Sequence, residues 1–190
     1  MTYVVRHAVS KANDRNNPAF GNPDAGLIPF GVEQAVAMGE RFDSLGYPDR
    51  SEIPVAVSKM KRTWQTANAA GFFTLRQYGL LGELDLSLEE KMDIKQAWKP
   101  SDEKKAEETR KNWPEIREQI IPERFTNETR YLLNNRPQED IWITHGLRAR
   151  AIFNLLGLYQ DYDEFIMGFT EIRKLPDNWQ EHPNLRYNTH

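Results

Sequence analysis

The sequence predicts an α/β fold, a three-layer α/β/α sandwich built around a central, mostly parallel sheet. Short apolar runs of strand length alternate along the chain with longer stretches of helical period, which is the order expected of parallel strands joined by crossover helices. The chain has 190 residues and contains no internal repeat, low-complexity tract or Gly/Ser linker. A chain of this size is typical of one domain, so we expect a single domain over residues 1–190.

The first strand is predicted at residues 3–5, where Tyr-Val-Val is aromatic and β-branched without polar alternation, as in a strand buried on both faces. A loop rich in Asn, Pro, Asp and Gly follows over about residues 13–26. A helix is predicted next and ends at Gly46-Tyr47-Pro48. Its expected buried face repeats with helical spacing and comprises Val32, Ala35, Val36, Gly39 and Phe42.

A second strand is predicted at residues 53–57. It leads into a helix with an apolar stripe expected at Met60, Trp64, Ala67 and Gly71. A third strand is expected from Leu75 to Leu81, an apolar segment that follows this helix. The alternation of strand and helix is therefore maintained through the first half of the chain.

Residues 99–133 are charged and have helical character. We expect a helical insertion there, in two pieces broken at Pro114 or Pro122 and with its charges on a solvated face. Residues 141–144 form the clearest strand, and a short strand is expected near residues 169–173. The helix after the clearest strand has an expected apolar face of Ala149, Ile152, Phe153 and Leu156.

The composition excludes several classes of protein. The chain has no cysteine, so it has no disulfide scaffold, thiolate zinc site, iron–sulfur cluster or cysteine nucleophile. Hydrophobic residues make up 39% and charged residues 28% of the chain, which is typical of a globular domain rather than a disordered one.

The charge and the apolar runs bear on partners and location. A net charge of −3 gives no electrostatic reason to expect nucleic acid as a partner. No apolar run approaches the roughly 20 residues that a spanning helix needs, and the first residues do not resemble a secretory signal. We therefore expect a cytoplasmic protein with no nucleic-acid or membrane partner, whereas nothing in the sequence indicates an oligomeric state.

The carboxyl ends of the predicted strands carry the residues that suggest chemistry. Arg6-His7 follows the first strand, Arg62 lies one turn into the helix after the second, and His145-Gly146 follows the clearest strand. Open parallel sheets bind ligands at this edge. Arginine binds phosphate through two parallel hydrogen bonds, and a helix N-terminus offers free N–H groups to an anion. These residues therefore predict a phosphate pocket that contains two imidazoles.

Four sequence blocks carry a resemblance to a known family. Residues 6–13 resemble the opening Arg-His-Gly-x-Ser/Thr-x-x-Asn motif of the histidine phosphatase superfamily, also called the phosphoglycerate mutase-like family. Residues 27–35, 58–67 and 143–146 are similar to three further motifs of that family, in the family's order. The third of these four blocks follows Ser-x-x-x-Arg-x-x-Gln-Thr-Ala without a mismatch. The resemblance extends from residue 2 to about residue 157.

The resemblance implies a phosphoglycerate mutase-like fold and a histidine acid phosphatase-type phosphomonoesterase. His7 would be the nucleophile and would form a phosphohistidine intermediate, which a neutral imidazole can do near pH 7. Arg6, Arg62 and His145 would hold the phosphoryl oxygens and stabilise the transition state. No metal or other cofactor is required, and the expected substrate is a phosphorylated small molecule or a phosphoprotein.

The family also places further residues at the site. Ser10 and Asn13 are expected to make additional contacts to the phosphate or its loop, although Asn13 could simply form a turn. Gly146 is expected among the substrate-binding residues. The proton donor of the family usually lies in a Leu-x-Glu segment after the third strand, which assigns Glu83 here. Asp85, two residues further on, is the alternative.

The sequence departs from the family at several positions. Ala8 stands where the family usually has Gly, and Ile28 stands where a Thr would cap the helix. The chain also lacks the Glu-Arg-His-Tyr-Gly stretch typical of true phosphoglycerate mutases, which favours a phosphatase. A mutase and a non-catalytic phosphate-binding member are the alternatives. His182 and His190 are expected to have no catalytic role, whereas Trp98 and Trp113 are candidates either for packing or for the substrate mouth.

Overall fold

The structure is a computed structural model that describes residues 1–84, 103–113, 115–116, 121–159 and 167–186. Across these residues the strands are β1 (Tyr3–Arg6), β2 (Val55–Val57), β3 (Leu75–Gln77), β4 (Ile141–Thr144) and β5 (Ile172–Lys174). The α-helices of the same residues are α1 (Pro29–Ser44), α2 (Lys61–Ala69), α3 (Glu103–Lys111), α4 (Glu123–Asn134) and α5 (Gly146–Leu155). The strands form one sheet in the order β3-β2-β4-β1-β5, in which only β5 is antiparallel to its neighbour. The predicted mostly parallel sheet is confirmed.

The two faces of the sheet pack against different helices. Val4, Ala56 and Trp142 belong to a core cluster that includes residues of α4 and α5. Val5 and Ile143, whose side chains alternate with these, belong to a second cluster formed with residues of α1 and α2. Side chains alternate along a strand, so each strand contributes to both cores. The arrangement is the predicted sandwich of helices, sheet and helices.

The centre of the sheet brings the ends of β1 and β4 together. These strands pair in parallel with Val5 opposite Ile143 and Arg6 opposite Thr144. The N–H of His7 donates to the Thr144 carbonyl at 2.9 Å, and the ladder ends there. The residues that follow the two strands therefore leave the sheet side by side.

The buried face of α1 differs from the predicted one. Val32 and Val36 are 43% and 46% exposed, so their assignment to the core was wrong. The buried residues are Gly31, Ala35, Met38, Gly39 and Phe42, so Ala35, Gly39 and Phe42 are buried as predicted. The reason for the difference is a close approach of backbones, since a Cβ built on Gly31 would lie 1.9 Å from the Val9 carbonyl oxygen. This contact turns the glycine edge of the helix inward and leaves the two valines outside.

The apolar stripe predicted for α2 was also wrong in part. Its buried residues are Arg62, Thr63, Thr66 and Ala67, while Trp64 is only partly buried and packs at the margin of the core. The third strand is shorter than expected, because the chain turns into a 3-10 helix at Gly79–Leu81. The first difference buries the polar residues Arg62, Thr63 and Thr66 of α2.

The second half of the chain agrees more closely with the prediction. Helices α3 and α4 lie in the segment predicted to be helical, and Pro122 immediately precedes α4. The predicted apolar face of α5 is buried. Strand β5 begins three residues later than expected, after Thr170, which has a φ of 55°. Among the residues that the structure describes, no helix combines the length and the apolarity that crossing a membrane requires.

Candidate active site

The loop after β1 carries His7 and is held by side chains from both helices on that face. The N–H of Ala8 donates to Thr66 Oγ1 of α2 at 3.0 Å. The N–H of Val9 donates to Gln34 Oε1 of α1 at 3.1 Å. These bonds satisfy backbone groups that have left the sheet. They also fix the loop relative to the two helices before any ligand is bound.

His7 is a buried, neutral imidazole with a defined orientation. Its Nδ1 lies 2.7 Å from the Ala8 carbonyl oxygen, which can only accept, so Nδ1 carries the proton. The opposite nitrogen, Nε2, accepts a hydrogen bond from Arg62 Nε at 3.1 Å. Burial, followed by the nearby Arg62 charge, holds the pKa of His7 well below its ordinary value. An unprotonated Nε2 is thus available near neutral pH.

His145 faces the same guanidinium from the end of β4. Its Nδ1 shares the single hydrogen of Arg62 Nε with His7 Nε2 and lies 3.2 Å from Arg62 Nε. Its ring centroid lies 5.0 Å from that of His7. Its other nitrogen, Nε2, lies 2.8 Å from Ser58 Oγ. Burial lowers the pKa of His145 well below its ordinary value, with further lowering by His7 and Arg62. Both imidazoles are therefore neutral and directed at one cation.

Arg62 lies between the two histidines because it occupies the first turn of α2. Its Nη1 donates to the Pro23 carbonyl at 2.6 Å, which anchors the guanidinium to the loop before α1. The side chain is buried, so its charge acts in a medium of lower polarity than water. The guanidinium is thus a fixed positive charge within hydrogen-bond reach of both imidazoles.

Arg6 provides a second cation on the other side of β4. Its Nη1 donates to the Met167 carbonyl at 2.7 Å, and its guanidinium lies 3.7 Å from the centroid of the Phe169 ring. Burial and then repulsion from Arg150 lower its pKa to about 10, which leaves it charged at neutral pH. A Cβ on Gly146 would lie 3.0 Å from Arg6 Nε, so the start of α5 is packed against this side chain.

The carboxyl group of Glu83 lies beside Arg62 and His145. Its Oε2 lies 3.8 Å from His145 Nδ1 and 4.0 Å from Arg62 Nη2. Burial raises the pKa of Glu83 above its ordinary value, and this effect exceeds the lowering by Arg62 and Arg6. A carboxyl group with a raised pKa can carry a proton into a reaction.

The segment before Glu83 is held by Arg148, which the sequence reasoning did not identify. Arg148 is buried on α5, and its Nε donates to the Gly82 carbonyl at 3.2 Å. The same guanidinium contacts Thr129 Oγ1 at 3.3 Å and pairs with Glu128 of α4. No sequence signal distinguishes it, because an arginine on a helix is normally a solvated residue.

Ser10 and Asn13 contact each other. The Ser10 backbone N–H and hydroxyl donate to Asn13 Oδ1 at 3.2 Å and 2.7 Å, across the 3-10 turn Lys11–Asn13. Asn13 therefore forms a turn, as one interpretation of the sequence expects. The contact of either residue with a phosphate group stays a prediction.

The remaining candidates lie away from this cluster or outside the described residues. Trp113 is buried in the core with residues of α4 and α5, which corresponds to the packing interpretation rather than the substrate mouth. His182 Nδ1 accepts from the Asn184 N–H at 3.3 Å, at the start of a 3-10 turn. Asp85, Trp98 and His190 lie outside the residues that the structure describes.

The described residues thus combine a neutral imidazole with an unprotonated Nε2, two fixed cations, a second imidazole and a carboxyl group with a raised pKa. In that part of the chain, no group of three or more His, Asp or Glu side chains is placed to hold a metal ion. Guanidinium groups are the donors that match phosphoryl oxygens. The arrangement can bind a phosphoryl group and attack it.

Comparison with known proteins places this chain in a family. The family model of the histidine phosphatase superfamily (branch 1) matches residues 2–177 of this chain. The chain therefore belongs to the histidine phosphatase superfamily, and the resemblance drawn from the four sequence blocks is confirmed. Comparison with curated protein sequences gives no match.

Solved structures share the fold at low sequence identity. The protein from open reading frame Rv3214 of Mycobacterium tuberculosis has 18% identity and a TM-score of 0.57, over 90% of this chain and 88% of that one. Phosphoserine phosphatase of Entamoeba histolytica, solved with 3-phosphoglyceric acid, has 18% identity and a TM-score of 0.57, over 90% and 89%. TTHB049 of Thermus thermophilus has 20% identity and a TM-score of 0.55, over 90% of both chains. These likenesses confirm the predicted phosphoglycerate mutase-like fold.

Proposed function

We propose that this protein is a metal-independent phosphomonoester hydrolase that acts through a phosphohistidine intermediate on His7. The observation that carries the proposal is the bond from Arg62 Nε to the unprotonated His7 Nε2, at 3.1 Å. This bond supports the proposal because the lone pair of His7 Nε2 lies beside a fixed positive charge. A phosphoryl group bound by that charge would be within reach of the imidazole.

In the first half of the reaction, His7 Nε2 attacks phosphorus and the bond from phosphorus to the ester oxygen breaks. Glu83 gives its proton to the departing oxygen, so the alcohol leaves neutral. Arg6, Arg62 and His145 hold the three remaining oxygens, over which charge is shared in the transition state. The product of this half is phosphohistidine.

In the second half, the Glu83 carboxylate takes a proton from a water molecule. The oxygen of that water attacks phosphorus, and the bond from phosphorus to His7 Nε2 breaks. Inorganic phosphate leaves, and both His7 and Glu83 return to their starting protonation states. The raised pKa of Glu83 supports both of its roles, because such a group gains and loses a proton readily near the working pH.

The charges of the site support a phosphomonoester as the substrate. Before the substrate binds, with neutral imidazoles and with the protonated Glu83 that the first half-reaction requires, the pocket holds two positive charges, on Arg6 and Arg62. A phosphomonoester carries between one and two negative charges near neutral pH, so the charges nearly balance. We propose a phosphorylated small molecule as the substrate. Phosphoserine and 3-phosphoglycerate are suitable first tests, given the contents of the Entamoeba structures.

The test is release of inorganic phosphate from a panel of phosphomonoesters in the presence of EDTA, from about pH 5 to about pH 8. The panel includes p-nitrophenyl phosphate, phosphoserine, 3-phosphoglycerate and a phosphopeptide. We expect turnover that survives EDTA and is lost in His7→Asn but retained in the matched control His182→Asn. Vanadate binding without any turnover would instead show a non-catalytic binder. Stimulation by a bisphosphate, with phosphate retained in the product, would show a mutase.

A further inference from the structure

The hydrogen bond from Arg62 to His145 determines which nitrogen of that imidazole carries the proton. Arg62 Nε can only donate, and it lies 3.2 Å from His145 Nδ1. His145 Nδ1 must therefore present a lone pair. In a neutral imidazole the proton then lies on the other nitrogen, Nε2. That nitrogen is 2.8 Å from Ser58 Oγ.

The contacts around Ser58 allow its Oγ to accept a hydrogen bond from the His145 Nε2–H. Ser58 is fully buried, and its Oγ also accepts the N–H of Met60 at 3.1 Å. The Thr63 hydroxyl lies 2.8 Å from the Met60 carbonyl, to which it donates. The lone pairs of Thr63 Oγ1 are then free for the Ser58 hydroxyl hydrogen, across 3.0 Å. Every hydrogen in this chain of contacts has an acceptor.

The reverse direction, in which Ser58 donates to His145, is incompatible with the contact between Arg62 and the other ring nitrogen. If the Ser58 hydroxyl donated to His145 Nε2, the imidazole proton would lie on Nδ1. It would then point at the N–H of Arg62 Nε, only 3.2 Å away. Two donors would face each other in a buried site, where an unsatisfied donor is costly. The contacts are compatible with one direction only.

We infer that Ser58 is a positioning residue that keeps the His145 proton on Nε2 and leaves Nδ1 as the nitrogen that meets the phosphoryl group. Nδ1 lies 3.8 Å from Glu83 Oε2, at the centre of the cluster. When a phosphoryl group binds, the Arg62 Nε–H turns from the imidazoles to a phosphoryl oxygen, while Nη1 stays bound to the Pro23 carbonyl. His145 then takes up one proton from solvent at Nδ1, and this N–H donates to a second phosphoryl oxygen. Ser58 Oγ continues to accept from Nε2 throughout. This second step rests on the proposed function, whereas the protonation state of the free site does not.

Nitrogen-15 NMR of the full chain, labelled at histidine, tests the inference. The His145 signals are identified by their loss in His145→Gln. We expect the free wild-type protein to show a protonated Nε2 and an unprotonated Nδ1. In Ser58→Ala, the Arg62 bond still favours the proton on Nε2, but a buried Nε2–H would lose its acceptor. These opposing costs should move the His145 shifts toward a mixture of the two tautomers. Ser58→Cys, which offers a weaker acceptor of similar size, should lie between them, and the control Ser44→Ala should match the wild type.

A titration with inorganic phosphate adds a second readout. We expect Ser58→Ala to bind phosphate about five-fold more weakly, the effect of losing one neutral hydrogen bond. A free wild-type protein with its His145 proton on Nδ1 would overturn the inference, even if neither Ser58 variant folded. Unchanged His145 shifts in a folded Ser58→Ala would also overturn it. The spectra are recorded without turnover, so they distinguish a failure of this inference from a failure of the proposed hydrolase activity.

Discussion

The backbone of Gly146 lies against the Arg6 side chain so closely that a Cβ at this position would be 3.0 Å from Arg6 Nε. Arg6 has little freedom to move away. Its Nη1 is bound to the Met167 carbonyl, and its guanidinium lies on the Phe169 ring. The first residue of α5 therefore sets the position of one of the two site cations.

Gly146→Ala should displace Arg6 and weaken phosphate binding. We expect kcat/KM for a phosphomonoester to fall about ten-fold, the size of effect caused by a small misplacement of a positioned group, with little change in Tm. Steady-state kinetics and thermal unfolding measure the two quantities. The matched control is Gly79→Ala, because a Cβ there meets only Lys59 Cε, at 3.8 Å. Equal losses in both variants would show that Gly146 does not act through Arg6.

The kcat/KM of the enzyme should fall on both the acid and the alkaline side of a pH optimum. His7 needs to be neutral, and its lowered pKa places the acid limb below the ordinary histidine value of about 6.5. Glu83 needs to be protonated, so activity should fall as pH rises through its raised pKa. The optimum is thus expected between the lowered pKa of His7 and the raised pKa of Glu83. Glu83→Gln should lose the alkaline limb, and an unchanged limb on the same substrate would remove Glu83 from this role.

The assignment of Glu83 as proton donor predicts a dependence on the leaving group. Glu83→Gln should slow hydrolysis of alkyl phosphates by roughly 100-fold or more, because their alkoxide leaving groups need the proton. The loss should be much smaller for p-nitrophenyl phosphate. Hydrolysis rates for substrates with a range of leaving-group pKa values measure this dependence. The control is Glu40→Gln, at an exposed position of α1. An equal loss for all leaving groups would shift the assignment toward Asp85.

Conformational stability should also depend on pH through the buried histidines. Since the folded-state pKa of His145 is lowered, the unfolded chain binds more protons below about pH 6.5, and folding stability falls as the pH drops. The free energy of unfolding should therefore decrease from about pH 7 to about pH 5, and less steeply in His145→Gln. Denaturant titrations at the two pH values measure the slopes. Parallel slopes for the two proteins would show that His145 is not held neutral.

Most of the fold could be predicted from the sequence, because the patterns that define strands and helices are local. The aromatic and β-branched run of β1 and the run of β4 require burial on both faces, and both strands lie where predicted. The face of α1 could not be predicted in the same way. Apolarity favours Val32, whereas the actual face depends on Gly31 meeting the Val9 carbonyl, a contact between segments distant in space until the chain folds.

The site residues also fall into those that the sequence predicts and those that it does not. His7, Arg62 and His145 follow strands or begin helices at one sheet edge, so topology alone predicts their proximity, and the structure places them around Arg62 Nε. Ser58 begins the matched block of residues 58–67, but nothing in the sequence indicates that it is a partner of His145. The sequence contains no signal for Arg148 either, because a charged residue becomes a buried support only when another element supplies its partner.

The most direct test of the account is a rapid-quench experiment with a ³²P-labelled phosphomonoester. We predict a covalent phosphoenzyme that is labile in acid and stable in alkali, with the label on His7, and no label in His7→Asn. Glu83→Gln should accumulate it with a good leaving group, because the second half-reaction lacks its base. Turnover without any such intermediate, or a label on a residue other than His7, would contradict the account.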